Sequence, residues 1–188
     1  FQHIQEADRY FADGIPCEDG TELMNIILIG MPGSGKSTVG VVLAKLLGMH
    51  FCDTDLVLQQ HCGKKQQVII RTEGDAAFFR HEAEVLATLE VRDTVIATGG
   101  SAVYADRAMQ HLKADGKCVY LRVSEAEIER RLANFSDRGV VIADGMTLAD
   151  LYAERIPLYE KYADIAVSAE GGTVWDTARR IAEKLRAR

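Results

Sequence analysis

No hydrophobic run in this chain of 188 residues approaches the about 18 residues that a membrane-spanning helix needs. No secretory signal pattern appears either, so the expected compartment is the cytoplasm and no membrane partner is expected. Basic residues are outnumbered, 22 against 28 acidic, for a formal net charge of −6. They are also scattered. A nucleic-acid backbone needs several neighbouring cations to displace its counterions, and nucleic acid is therefore excluded as a main partner. Cysteine is sparse. Cys17, Cys52, Cys62 and Cys118 form no C-x-x-C pair and find no histidine at zinc spacing, which reads as free thiols in a reducing compartment. The histidines at 3, 50, 61, 81 and 111 do not group and read as isolated surface side chains. No internal repeat is evident. What remains is an ordinary apolar fraction, 47%, in a length normal for one domain with a full core.

One stretch stands out against that background. Gly30-Met31-Pro32-Gly33-Ser34-Gly35-Lys36-Ser37-Thr38 reads G-x-x-x-x-G-K-S, the phosphate-binding loop. Its glycines let successive backbone N–H groups curl inward around a phosphate. Lys36 adds a point charge between β- and γ-phosphates, and the Ser37 hydroxyl suits a Mg²⁺ ligand position. Gly33, Ser34, Gly35, Lys36, Ser37 and Thr38 are thus the nucleotide-binding candidates. The flanks agree. Asn25 to Ile29 is an apolar run suited to a buried parallel strand, and Val39, Val42, Leu43, Leu46 and Leu47 recur at helical spacing after the loop.

Residues 1–23 stand apart as an acidic leader or extension to which no chemistry is assigned, and residues 24–188 read as a single domain. Strands are expected at 50–55, 94–98, 117–122 and 164–168. Helices are expected from Leu56, over 73–90, 105–112 and 125–134, from Thr147 to about Tyr162, and over 174–185. Ser124 with Glu127 reads as a capping box, and Pro157 as a kink or break. Residues 135–146 read as a mobile lid. Alternating strands and helices imply an α/β fold, a parallel sheet covered on both faces.

Phosphoryl transfer needs a cradle, a divalent cation, a group that handles the acceptor hydroxyl, and cations for the transferring oxygens. Asp53 and Asp55, two apart where the second strand ends, can both project above the sheet edge. Asp53 can serve Mg²⁺ together with Ser37, and Asp55 can accept a hydroxyl proton. The competing reading is that they cap the following helix. Thr98-Gly99-Gly100 would let backbone approach a ligand closely. Arg131, Arg138 and Arg155 flank or sit in the expected lid as candidate cations.

Here the sequence resembles the shikimate kinase family. The matching residues are Gly30 to Gly40, Phe51 to Asp55, Gly74 to Phe78, Glu82, Ala97 to Gly100, Arg155-Ile156-Pro157-Leu158-Tyr159 and Ala163-Asp164. The resemblance implies a P-loop kinase with a five-stranded parallel sheet of order 2-3-1-4-5 and a mobile lid. It implies ATP-dependent phosphorylation of a ring hydroxyl on a small carboxylic acid in aromatic amino acid biosynthesis, with Mg²⁺ and a monomeric enzyme. Asp55 would bind the acceptor hydroxyls, Gly99 and Gly100 would line the acceptor pocket, and Arg155 would meet the acid group. Arg131 would lie against adenine, and Arg138 would be the lid arginine that acts with Lys36 and Asp55 in catalysis.

Three positions depart from the family pattern. Phe79 stands where the family has a carboxylate-binding arginine; Arg80 follows one residue later, about 100° around the helix, and is the substrate-binding candidate in its place. Gly99-Gly100-Ser101 replaces three glycines, and Arg138-Gly139-Val140-Val141 replaces Arg-Pro-Leu-Leu. The rival readings are a same-fold kinase for another small polyol or hydroxy acid, of gluconate type, and a catalytically silent ATP-binding module.

Overall fold

The computed structural model describes residues 24–133 and 146–187. The leader, Arg138 and nearly all of the expected lid lie outside the described residues. Five parallel strands form one sheet in the order β2-β3-β1-β4-β5. At its centre β1 (Asn25–Ile29) is buried along its whole length, as its unbroken apolar run requires. Ile27 of β1 lies opposite Ile96 of β3 (Thr94–Ala97) on one side and Cys118 of β4 (Gly116–Arg122) on the other. The outer strands are β2 (His50–Asp53), paired with β3, and β5 (Ile165–Ser168), paired with β4. Asn25 is polar yet buried, and its amide closes the amino end of the sheet. It donates to Val91 O at 2.7 Å and accepts from Thr94 N at 3.1 Å.

Helices α1 (Lys36–Leu47) and α8 (Val174–Arg186) pack together, and α5 (Asp106–Ala114) packs against α4 (Asp75–Ala87). With α6 (Glu125–Ala133) and α7 (Leu148–Tyr162) they enclose a core in which Leu28, Leu43, Leu86, Val119, Leu151 and Ile181 are buried. A second, smaller apolar nucleus lies apart from it. Leu58 of α2 (Thr54–Cys62), Ile69 of α3 (Gln66–Glu73) and Phe78 and Val85 of α4 are buried against one another. No element is expected from the sequence over residues 63–72, where most of α3 lies.

Neither a break at Pro157 nor a cap at Ser124 forms. Pro157 neither breaks nor ends α7, which runs through it to Tyr162. An interior proline costs a helix about 3 kcal/mol, and burial of Leu151, Arg155, Tyr159 and Tyr162 on the same helix offsets that. The capping box at Ser124 does not close: its N–H donates to Glu170, while Glu127 holds Arg130 and Arg131 at 2.7 Å each. Thr147 does cap α7, in a reciprocal box with Asp150.

Candidate active site

β1, β2 and β3 deliver their carboxyl ends to the same edge of the sheet, where ligands of open parallel sheets bind. β1 runs into the phosphate loop. Gly33 and Gly35 adopt φ of +79° and +92°, conformations that side-chain-bearing residues rarely tolerate, and Gly35 is the N-cap of α1. The loop's N–H groups and the positive end of α1 therefore converge on one point, an anion site. Lys36 is buried, its Nζ donating to the carbonyls of Gly30 at 2.7 Å and Met31 at 3.0 Å. Burial draws its pKa down to about 8. Asp55 pulls upward against that, while Arg155 adds to the depression.

Asp53 ends β2, where the capping reading holds. Its Oδ1 caps α2, accepting from Asp55 N at 3.0 Å, and the residue also lines the cleft. Asp55 then falls in the first turn of α2 and lines the same cleft, beside Lys36. Burial raises its pKa, helped by the charge of Asp53 and opposed by a Gln66 hydrogen bond and by Lys36. Such a carboxylate is a better proton acceptor than a solvated aspartate.

Beyond β3, Thr98 ties the edge to β1, its hydroxyl donating to Leu28 O at 2.9 Å. Gly99 then passes between two carboxylates. A Cβ there would overlap Glu82 Oε1 and sit 3.2 Å from Asp55 Oδ1, so only glycine leaves both side chains in place. Gly100 is fixed through its carbonyl, which accepts from the Tyr159 hydroxyl at 2.6 Å. Arg155 is 2% exposed. Its Nε donates to the Tyr104 hydroxyl at 3.0 Å, and its guanidinium lies 5.0 Å from the centre of the Tyr104 ring. Among the described residues no carboxylate comes within ion-pair distance of it. A buried guanidinium so placed is suited to a ligand's acid group, which it can grip with two parallel bonds.

The whole cleft has a volume of about 810 Å³. Gly33, Gly35, Lys36, Ser37, Thr38, Asp53, Asp55, Gly99, Gly100 and Arg155 all line it. Ser34, buried beneath the loop, places its Oγ 3.5 Å from Lys36 Nζ. Ser37 and Asp53 supply hard oxygen donors, the set Mg²⁺ favours. Arg131 reaches the loop from α6. Its Nη1 donates to the carbonyls of Gly33 and Ser34, both at 3.3 Å, and its Nη2 to Ala169 O at 2.9 Å.

Arg80 is a correction. It is exposed on α4 and does not line the cleft. Phe79 turns toward the interior instead, its ring edge-on to Tyr104 with centroids 5.7 Å apart. The ring takes the inward position, and the charged neighbour one residue on is rotated to solvent.

Comparison with known proteins agrees with this arrangement. Residues 32–186 match the family model for shikimate kinase. The chain belongs to the shikimate kinase family. A shikimate kinase of Francisella tularensis subsp. novicida is 40% identical over 164 residues, 84% of this chain and 92% of that protein. One from Chlorobium chlorochromatii is 36% identical over 171 residues, 85% of this chain and 90% of the other. Among solved structures, a shikimate kinase from Acinetobacter baumannii in complex with shikimate superposes with a TM-score of 0.81. It is 32% identical, covering 88% of this chain and 94% of that one.

Glu82 is a family-matching position to which the sequence alone assigns no role in this shikimate kinase cleft. Glu82 is 4% exposed and lines the cleft, and its Oε1 has no hydrogen-bond partner. Burial pushes its pKa up to about 7; a Ser101 hydrogen bond opposes the rise and the charge of Asp55 adds to it. A signal was available: Glu82 falls on the same helical face as Phe78, Val85 and Leu86, so a carboxylate interrupts an apolar stripe.

Proposed function

We propose that this chain phosphorylates a ring hydroxyl of shikimate, with ATP as co-substrate, giving 3-phosphoshikimate and ADP. Family membership supports the reaction. The single geometric observation that supports it most is Asp55 lining one cleft with Lys36 and the phosphate loop. In this reading the acceptor hydroxyl hydrogen-bonds Asp55, its oxygen attacks the γ-phosphorus, and the bond from that phosphorus to the bridging oxygen breaks. The proton passes to Asp55, and ADP leaves with the bridging oxygen. Lys36 and the loop N–H groups stabilise charge on the phosphates. Mg²⁺, held through Ser37 and Asp53, would neutralise the β- and γ-oxygens. Arg155 and the backbone at Gly99 and Gly100 orient the acid. Arg131 serves the nucleotide side, and Arg138 the transferring phosphoryl group.

Residues 24–188 act as one kinase domain working as a monomer in the cytoplasm, with residues 1–23 outside the chemistry. Phe79 in place of an acid-binding arginine favours one second reading, a related kinase for another small hydroxy acid. Coupled ADP-release assays with shikimate, quinate, gluconate and homoserine separate the two. Shikimate turned over fastest, with loss of activity in chelator and recovery in Mg²⁺, is the expected result. Absent turnover of shikimate alongside rapid turnover of another acceptor overturns it.

A further inference from the structure

The fold brings together histidines that are far apart in sequence. His61 lies in the last turn of α2 and His81 in α4, with ring centroids 6.5 Å apart and planes inclined by 56°. Glu84 follows His81 by about one turn. One donor atom from each of His61, His81 and Glu84 lies within 4.8 Å of the other two. This corrects the reading of isolated surface imidazoles.

The two nitrogens of His81 are in different situations. Nε2 is 3.3 Å from Glu73 Oε2, and Glu73 is itself anchored by Lys64 at 2.7 Å. Nδ1 is shielded from solvent, has no hydrogen-bond partner and lies 3.9 Å from Glu84 Oε2. A proton on Nε2, donated to Glu73, leaves Nδ1 as a lone pair. Metal-binding histidines are oriented in just this way, by a carboxylate on the opposite nitrogen. The cleft accounts for none of these residues.

We propose that His61, His81 and Glu84 form a site for a divalent transition ion of the Zn²⁺ class, with Glu73 as the positioning residue for His81. Two imidazoles and one carboxylate suit zinc and its neighbours, whereas Mg²⁺ prefers oxygen donors throughout. Tetrahedral zinc with ligands near 2.05 Å needs donor atoms about 3.3 Å apart. The side chains must therefore close by no more than about 1.5 Å, a rotamer adjustment open to His61 and Glu84, which are both exposed. Water completes the coordination. The ion would tie the carboxyl end of α2 to α4, and so brace the wall that carries Asp55 at the opposite end of α2 and Glu82 beside His81.

The test uses the full chain, stripped with chelator and titrated with ZnCl₂ against a chromogenic competitor in excess Mg²⁺. One equivalent should bind tightly. His61→Gln, a change at an exposed position, should weaken binding at least tenfold, as should His81→Ala. Glu73→Gln, which removes no ligand, should weaken it about 10- to 100-fold. Melting temperature should rise with Zn²⁺ in the parent and not in folded His61→Gln, as judged by circular dichroism. Co²⁺ in place of Zn²⁺ should give visible bands without thiolate charge transfer. Unchanged affinity in a folded His61→Gln/His81→Ala chain overturns the site. So does a thiolate band that vanishes in Cys62→Ser.

Discussion

Glu82 gives the site's electrostatics a quantitative test. Its side chain is 4% exposed, and burial raises its pKa from 4.5 to about 7. The folded chain thus holds this proton more tightly than the unfolded chain does. Stability is full below 4.5, falls as pH climbs through the interval to 7, and levels off above it. The gap from 4.5 to about 7, at about 1.4 kcal/mol per pH unit, amounts to about 3 kcal/mol at the plateau. Glu82→Gln keeps the shape and removes the titration. Its stability should therefore gain on the parent's as pH rises. Between pH 6 and 8.5, clear of the sequence pI of 5.4, the difference should widen by between about 1 and 2 kcal/mol. At a urea slope of about 2 kcal/mol/M, the midpoints should separate by a further 0.5 to 1 M, roughly. Urea titrations followed by circular dichroism at four pH values measure it. A stability difference that stays constant across that range refutes the reasoning, because Glu82 would then not be a buried group titrating there. The variant should also lose kcat/KM, since a chain that keeps a destabilising carboxylate in its cleft does so for function.

Asp55→Asn should cut kcat by about two orders of magnitude or more and leave ATP binding nearly unchanged, as read by single-turnover kinetics and nucleotide titration. Preserved turnover would remove Asp55 from the acceptor role. Gly99→Ala should displace both Glu82 and Asp55, costing about 1–3 kcal/mol of stability by urea melt and more than tenfold in kcat/KM. A fully active Gly99→Ala enzyme would contradict the close passage described for that backbone. Lys36, drawn down to about 8 by burial, loses its charge as pH rises through that value. Affinity for ATP in the absence of acceptor should then weaken above about pH 8 and hold steady below it, in titrations with a fluorescent nucleotide. An affinity that is flat to pH 9.5 rules this out.

The nucleotide half of the cleft was legible because its chemistry is local. Gly30 to Thr38 is contiguous, and the apolar runs on either side declare a strand and a helix. Asp53 and Asp55 were legible as a pair but not in their division of labour, since capping and lining a cleft are compatible for a residue at a strand end. The acceptor half was harder because it is assembled across elements. Arg155, Tyr104 and Phe79 meet only once α4, α7 and the turn after β3 have packed. Arg80 was misplaced because a charged residue beside an aromatic says nothing about which of the two faces inward. His61 and His81, twenty positions apart by their numbers, carry no spacing rule; the packing of α2 on α4 brings them together. Ser124 misled for a related reason: Glu170 and the two arginines outcompeted the local cap.

The small nucleus of Leu58, Ile69, Phe78 and Val85 does not merge with the main core, and this has a consequence for how the enzyme wears its mutations. A wall resting on four buried side chains can loosen while the sheet beneath stays intact. Amide exchange along α2, α3 and α4 should outpace that of β1 and α1. Damage there would surface first as poor grip on the acceptor, long before the melting curve registered a fault.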